Sequence, residues 1–204
     1  FCGYETIDTV SEIYHVEPLK NKSIIFTKIN PFYFEAGGQI SDEGKIKIDE
    51  KEYFVEKVVQ SENGATGLVV DINNVNIGDE VQLIVDDSFR NAVSKSHSAA
   101  HIVHSALRNI LGDHVAQAGS NVAPGRFRFD FSHTQKVSDE ELSTIFETAN
   151  KVIFDDLEVN TNIMNIDKAK DEGALAFFGD KYDDDVRVVN ICLLYTSDAA
   201  DDLV

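Results

Sequence analysis

The stretch SFRNAVSKSHSAAHIVHSALRNILG, Ser88 to Gly112, decides how this chain is read. Ser88 is a natural N-cap and Gly112 a natural stop, so the segment reads as one helix. Val93, His97, Ala100, His101, His104, Leu107 and Leu111 recur at helical spacing and share a face. Three of the chain's six histidines therefore lie on the stripe expected to turn inward. His97 and His101 are four residues apart, which stacks their imidazoles one turn apart on the same side. That spacing suits two ligands of one metal ion. It also suits a hydrogen-bonded pair of core histidines, since a zinc site normally takes three or four protein ligands.

Working outward, the hydrophobic period switches from 2 to 3.6 at Ser88. Before it, Ser23–Ile29, Lys45–Ile48, Tyr53–Val59, Gly67–Ile72 and Glu80–Val85 are β-branched, aromatic or strictly alternating. Turn signals separate them, among them Asn30-Pro31, Gly37-Gly38, Asn63-Gly64 and Gly78-Asp79. Short strands at this spacing predict a small β-barrel over residues 1–87. Gly37 and Gly38 let a backbone approach closely and offer unhindered N–H groups to an anion such as a phosphate. They are also what a plain turn needing positive φ requires.

After Ser88 the elements alternate differently. Val115–Val122 reads as a strand, Pro124-Gly125 as a turn, and Arg126–Ser132 as a second strand. That second strand puts Phe127, Phe129 and Phe131 on one face and Arg126, Arg128 and Asp130 on the other. Arg126 and Arg128 suit contact with phosphate, and equally pairing with acids on a neighbouring strand. Ser138 caps a further helix with Glu141 at its third position, a capping box, and Leu142, Ile145, Phe146, Ala149, Val152 and Ile153 form its apolar stripe. Val159–Ile166 reads as a strand, Asp167–Phe178 as a short helix and Asp185–Ile191 as a final strand. The pattern predicts an α+β domain over 88–191, with helices packed on one face of a largely antiparallel sheet.

Composition narrows the classes. At 204 residues with an apolar fraction of 43 %, the chain has enough for a packed core. No apolar run reaches membrane-spanning length, and no secretory signal pattern opens the sequence. Cys2 and Cys192 give no disulfide framework, which suits a reducing cytoplasm. The sequence opens on Phe1 and its only methionine is Met164, so it is expected to be part of a longer protein. A net charge of −18 speaks against nucleic acid, but its distribution is uneven. Residues 1–90 hold 8 Lys/Arg against 17 Asp/Glu, a balance of −9; 91–136 hold 5 against 2, +3; 137–204 hold 5 against 17, −12. A site for a phosphodiester chain belongs in the central block.

The run from His97 to His133, HSAAHIVHSALRNILGDHVAQAGSNVAPGRFRFDFSH, closely resembles the editing domain of the alanyl-tRNA synthetase family. A histidine helix, a glutamine-glycine-serine segment and an Arg-Phe-Asp-Phe strand follow one another in the family's order. FCGYE (Phe1–Glu5), PFYFEAGGQISDEG (Pro31–Gly44) and GALAFFGDKYDDDVRVVNI (Gly173–Ile191) resemble further family blocks. The resemblance implies a translation-factor-like β-barrel followed by an editing domain. That domain hydrolyses the ester joining serine or glycine to the tRNA for alanine, with tRNA(Ala) held by its acceptor end. It implies zinc held by His97 and His101 and completed by a later cysteine and histidine, two ligands that this chain is expected to lack. It implies Gln117 in the catalytic pocket, and Gly37 and Gly38 against the acceptor stem, with Arg126 and Arg128 as further candidate RNA contacts. His104 matches a family histidine that is not a ligand, and its expected role is packing. Ala100 stands where many members carry threonine, which removes one hydroxyl from the expected pocket. The ATP-using aminoacylation domain is expected upstream of Phe1.

The match stops at Ile191. The remaining CLLYTSDAADDLV fits no family block, resembles translated adapter sequence, and is expected to be foreign, unpacked and without a ligand role for Cys192. Two other readings stay open: a free-standing trans-editing deacylase, and an RNA-binding module with an incomplete metal site. Nothing in the sequence sets an oligomeric state.

Overall fold

The structure is a computed structural model and describes residues 1–171, 184–191 and 195–198. Six antiparallel strands close a barrel: β1 (Asp8–Leu19), β2 (Lys22–Thr27), β3 (Gly44–Ile48), β4 (Lys51–Gln60), β5 (Thr66–Val70) and β6 (Glu80–Val85), in the spatial order β1-β2-β5-β4-β3-β6. Alternation drives closure. Ile13, Ile25, Ile46, Leu68, Val81 and Leu83 each sit at 0–1 % exposure in one core, with Phe32 among them. Burying an aliphatic side chain of this size is worth about 1.5–3 kcal/mol, so the inward stripe alone fixes the register. Bulges at Ile13/His15 in β1 and Val55/Lys57 in β4 give the extra bend a small barrel needs. β1 was not expected from the sequence. Its outward positions carry Val10 and Tyr14, 54 % and 43 % exposed, so apolar residues on both faces blur the period.

The compact unit built on the barrel takes in residues 1–36 and 40–94. A buried guanidinium ties it together. Arg90 Nε donates to Asp42 Oδ1 at 2.8 Å and its Nη2 to Asp42 Oδ2, while Nη1 and Nη2 donate to the Gly3 and Pro31 carbonyls at 2.7 and 2.8 Å. Asp42 Oδ2 also accepts from the Tyr33 N–H at 2.6 Å.

The second unit takes in residues 37–39 and the chain from 95 onward. The long helix α1 runs Asp87–Leu111. Its N-cap is Asp86 rather than Ser88, because the Asp86 carboxylate accepts from the Phe89 N–H at 2.9 Å. Gly112 ends it as expected, at φ 114° with its N–H on the Arg108 carbonyl at 2.8 Å. A hairpin follows, β7 (Gln117–Ala123) and β8 (Arg126–Phe131), then α2 (Asp139–Phe154). Ala106 and Leu107 of α1 pack with Val115 and Ile145, and Phe129 and Phe131 of β8 close that core. β9 (Val159–Asn165), α3 (Ile166–Asp171), β10 (Asp185–Ile191) and β11 (Tyr195–Asp198) complete the described elements. The three strands pair antiparallel in the order β11-β10-β9.

The α+β class read from the sequence is the class found: a closed barrel, then helices with small antiparallel sheets. Three details differ. The sheet of the second unit comes in two pieces, β7-β8 and β11-β10-β9. The apolar stripe of α2 is wider than its buried face: Ile145 and Ala149 are buried, whereas Leu142, Phe146 and Ile153 stand 51 %, 70 % and 54 % exposed. The residues after Ile191 were expected not to pack, yet the backbone of Tyr195–Asp198 pairs with Val188–Ile191, because β10 would otherwise present an open row of N–H and C=O groups. Cys192 and much of the block from Gly173 lie outside the described residues. Among the described residues, no helix is long and apolar enough to cross a membrane.

Candidate functional site

α1 sets His97 and His101 one turn apart, and their rings stack with centroids 4.8 Å apart and planes 18° from parallel. His97 Nδ1 donates to Gln39 Oε1 at 2.7 Å. An amide oxygen only accepts, so Nδ1 carries the proton of this bond, and a ring protonated there alone has its lone pair on Nε2. One turn further, His104 is buried at 4 % exposure against Phe129, 4.8 Å between centroids. Burial, helped by the Arg108 charge, pushes its pKa down to about 4, so the ring is neutral at ordinary pH.

Gln39, itself buried, is delivered by the turn Gly37-Gly38-Gln39. Gly37 and Gly38 have φ of 55° and 80°, a region that glycine enters without steric cost. The turn is fastened to β7. The Val122 N–H donates to the Gly38 carbonyl at 2.7 Å, Ser120 Oγ donates to the Gly37 carbonyl at 3.2 Å, and Gln39 forms an isolated parallel bridge with Val122. The approach is closer than a side chain allows: a Cβ on Gly38 would lie 2.1 Å from Ser120 Oγ. Gln117 Nε2 donates to the same Ser120 hydroxyl at 3.1 Å. A chain of polar contacts thus runs from Gln117 through Ser120 to Gly37, and two residues on, Gln39 holds His97.

The structure therefore brings His97, His101, Gly37, Gly38 and Gln117 into one neighbourhood. Arg126 and Arg128 lie apart, on the exposed face of β8. Arg128 Nε donates to Asp130 Oδ2 of its own strand at 3.1 Å, an exposed pair worth at most about 1 kcal/mol. Gln39 and Ser120 were missed from the sequence as site residues. The signal for Gln39 was present, since an amide directly after two glycines belongs to a closely packed backbone. His114 and His133, at the open end of the hairpin, share a hydrogen bond of 2.9 Å between Nε2 and Nδ1.

Two imidazoles, one of them oriented through its second nitrogen, are the kind of donor that zinc takes. The number stops there: among the described residues, no group of three or more His, Cys, Asp or Glu is placed to hold a metal ion.

No family model matches the chain. Curated proteins do. The alanine–tRNA ligase of Lysinibacillus sphaericus (strain C3-41) is 42 % identical over 202 residues, which is 94 % of this chain and 22 % of the ligase. The alanine–tRNA ligase of Neorickettsia sennetsu (strain ATCC VR-367 / Miyayama) is 42 % identical over 196 residues, 94 % of this chain and 23 % of the ligase. With near-complete coverage of itself and less than a quarter of each relative, the chain belongs with the alanine–tRNA ligases, as a segment of that family.

Proposed function

We propose that this chain is the editing segment of an alanine–tRNA ligase: a β-barrel over residues 1–87 and an aminoacyl-tRNA deacylase domain over 88–191. Its reaction is hydrolysis of the ester in seryl- or glycyl-tRNA(Ala). The observation that supports the reading is the chain of contacts in which His97 stacks on His101 and bonds to Gln39, while Gln117 bonds to Ser120, whose hydroxyl holds the Gly37 carbonyl of the same turn.

Ester hydrolysis needs a placed water, a polarised carbonyl and a leaving 3′-terminal hydroxyl. His97 and His101 would hold zinc together with donors outside the described residues, and zinc when bound supplies carbonyl polarisation or a water of lowered pKa. Gln117 offers an amide N–H to the substrate in exchange for the Ser120 hydroxyl, which keeps its own donated bond to the Gly37 carbonyl. Gly37, Gly38, Arg126 and Arg128 are the groups proposed to meet the phosphates of the acceptor end, within the one net-positive block and the turn fastened to it.

Two histidine donors, with no group of three or more among the described residues, support a second reading, an RNA-binding module with an incomplete metal site. One pair of assays separates them. Seryl-tRNA(Ala) is incubated with this chain, with an intact alanine–tRNA ligase carrying this segment, and with the His97→Ala and Gln117→Ala variants of each. The intact protein is expected to deacylate, His97→Ala to lose at least about 100-fold, the scale set by removing a metal-linked or oxyanion-stabilising group, and the chain alone to bind acceptor-stem RNA with little hydrolysis. Deacylation by the intact protein that both variants leave unchanged would overturn the reading.

A further inference from the structure

We infer that Gln39 is a positioning residue for the histidine pair: its amide oxygen selects the Nδ1–H tautomer of His97 and so aims the Nε2 lone pair. The inference rests on the reading of His97 and His101 as the metal-holding pair, but its physical core does not need the metal.

Three observations carry it. Gln39 is only 7 % exposed, so its amide oxygen has lost water and must be satisfied inside the protein. It is satisfied by His97 Nδ1 at 2.7 Å, the short end of the N–H···O range, across 58 residues of sequence. The turn that presents it has no slack. Gly38 lies where a Cβ would strike Ser120, and the Gly37 and Gly38 carbonyls both accept from β7. A rigidly placed acceptor facing one ring nitrogen fixes which tautomer exists, because an N–H facing an acceptor is favourable and a lone pair facing one is not. Partners of this kind on the far nitrogen of a metal-binding histidine set ring orientation and raise ligand basicity. The glycine pair then has a purpose beyond its own conformation: it lets the backbone come close enough for the next residue's amide to reach α1.

The test uses the chain with ¹⁵N-labelled histidine and no metal, reading the His97 tautomer from long-range ¹H–¹⁵N correlations. The wild type is expected to show Nδ1–H. Gln39→Leu, which keeps the bulk and removes the acceptor, is expected to move His97 toward Nε2–H. Gln39→Glu, which keeps an acceptor oxygen, is expected to hold Nδ1–H. A wild-type Nε2–H ring, or a Gln39→Leu ring that stays Nδ1–H, overturns the inference. Zinc titration of the same proteins adds the second arm: Gln39→Leu should weaken zinc about 10- to 100-fold, with Gln39→Glu restoring it. His97→Ala serves as the reference there. If His97→Ala leaves zinc affinity unchanged, the metal-site reading fails while the tautomer result stands. If His97→Ala abolishes binding and Gln39→Leu changes nothing, the positioning role fails.

Discussion

His104 shows at the scale of a single side chain what burial does to an ordinary titration. The unfolded chain protonates this ring near 6.5, whereas the folded protein holds its pKa at about 4. Between those values the unfolded state takes up a proton that the folded state refuses, so acid favours unfolding. The neutral ring's contribution is complete above 6.5 and is lost as the pH falls toward 4, a change of about 3 kcal/mol. Urea midpoints measured from pH 7 to pH 4 should fall more steeply for the wild type than for His104→Phe. Parallel curves would mean that the ring is reached by water. That His97 and His101 stack on one face of α1 was legible in the sequence, because spacing along a helix is a local property. For Gln39 the glycine pair marked only the turn, and its bond to His97, 58 residues away, leaves no trace in a periodic pattern; Ser120, bonded to the Gly37 carbonyl, is hidden for the same reason.

At the scale of elements, α2 separates what local chemistry decides from what packing decides. Its start was fully legible: Ser138 Oγ accepts from the Glu141 N–H at 3.2 Å, and Glu141 Oε2 accepts from the Ser138 N–H at 2.8 Å. The Ser138 N–H and then the Ser138 hydroxyl, both donating to Glu141 Oε2 at 2.8 Å, hold the Glu141 carboxyl below its usual pKa. Ser138→Ala should cost about 1 kcal/mol, read as a lower urea midpoint at an unchanged m-value. No loss would show that Glu141 alone satisfies the first turn. Its buried face was less legible, since apolar residues all along the stripe said nothing of how much of it would be covered. The β8 strand is the opposite case. Phe127, Phe129 and Phe131 alternate with charged residues, and Phe129 and Phe131 do face the core shared with α1. The strand β1 was hidden because Val10 and Tyr14 face outward beside Asp8 and Glu12 while Ser11 is buried, so neither face is uniformly polar or apolar.

At the scale of the whole molecule, period 2 before Ser88 announced a barrel but not its closure, in which β1 meets β6 and β5 lies between β2 and β4. Strand order depends on partners far apart in the chain, and no window of sequence contains it. The same holds for the Arg90 clamp, whose side chain is 12 % exposed and whose Asp42 partner is 1 % exposed. Removing either charge strands the other in the interior, so Arg90→Met or Asp42→Leu should each destabilise by about 3–5 kcal/mol. Arg90→Lys should recover little, since an ammonium cannot reach both carboxylate oxygens and two carbonyls at once. Thermal unfolding of the three variants checks this, and a lysine variant as stable as the wild type would show that only the charge matters. The turn at 37–39 has a last consequence. These three residues are encoded between barrel strands but belong to the second unit, so that unit is discontinuous along the gene. It cannot be exchanged between proteins as a single cassette: a recombination joint placed before α1 would hand the new host His97 without its amide. Inheritance of the two units is therefore linked, since three residues of the second unit are carried within the barrel's stretch of sequence.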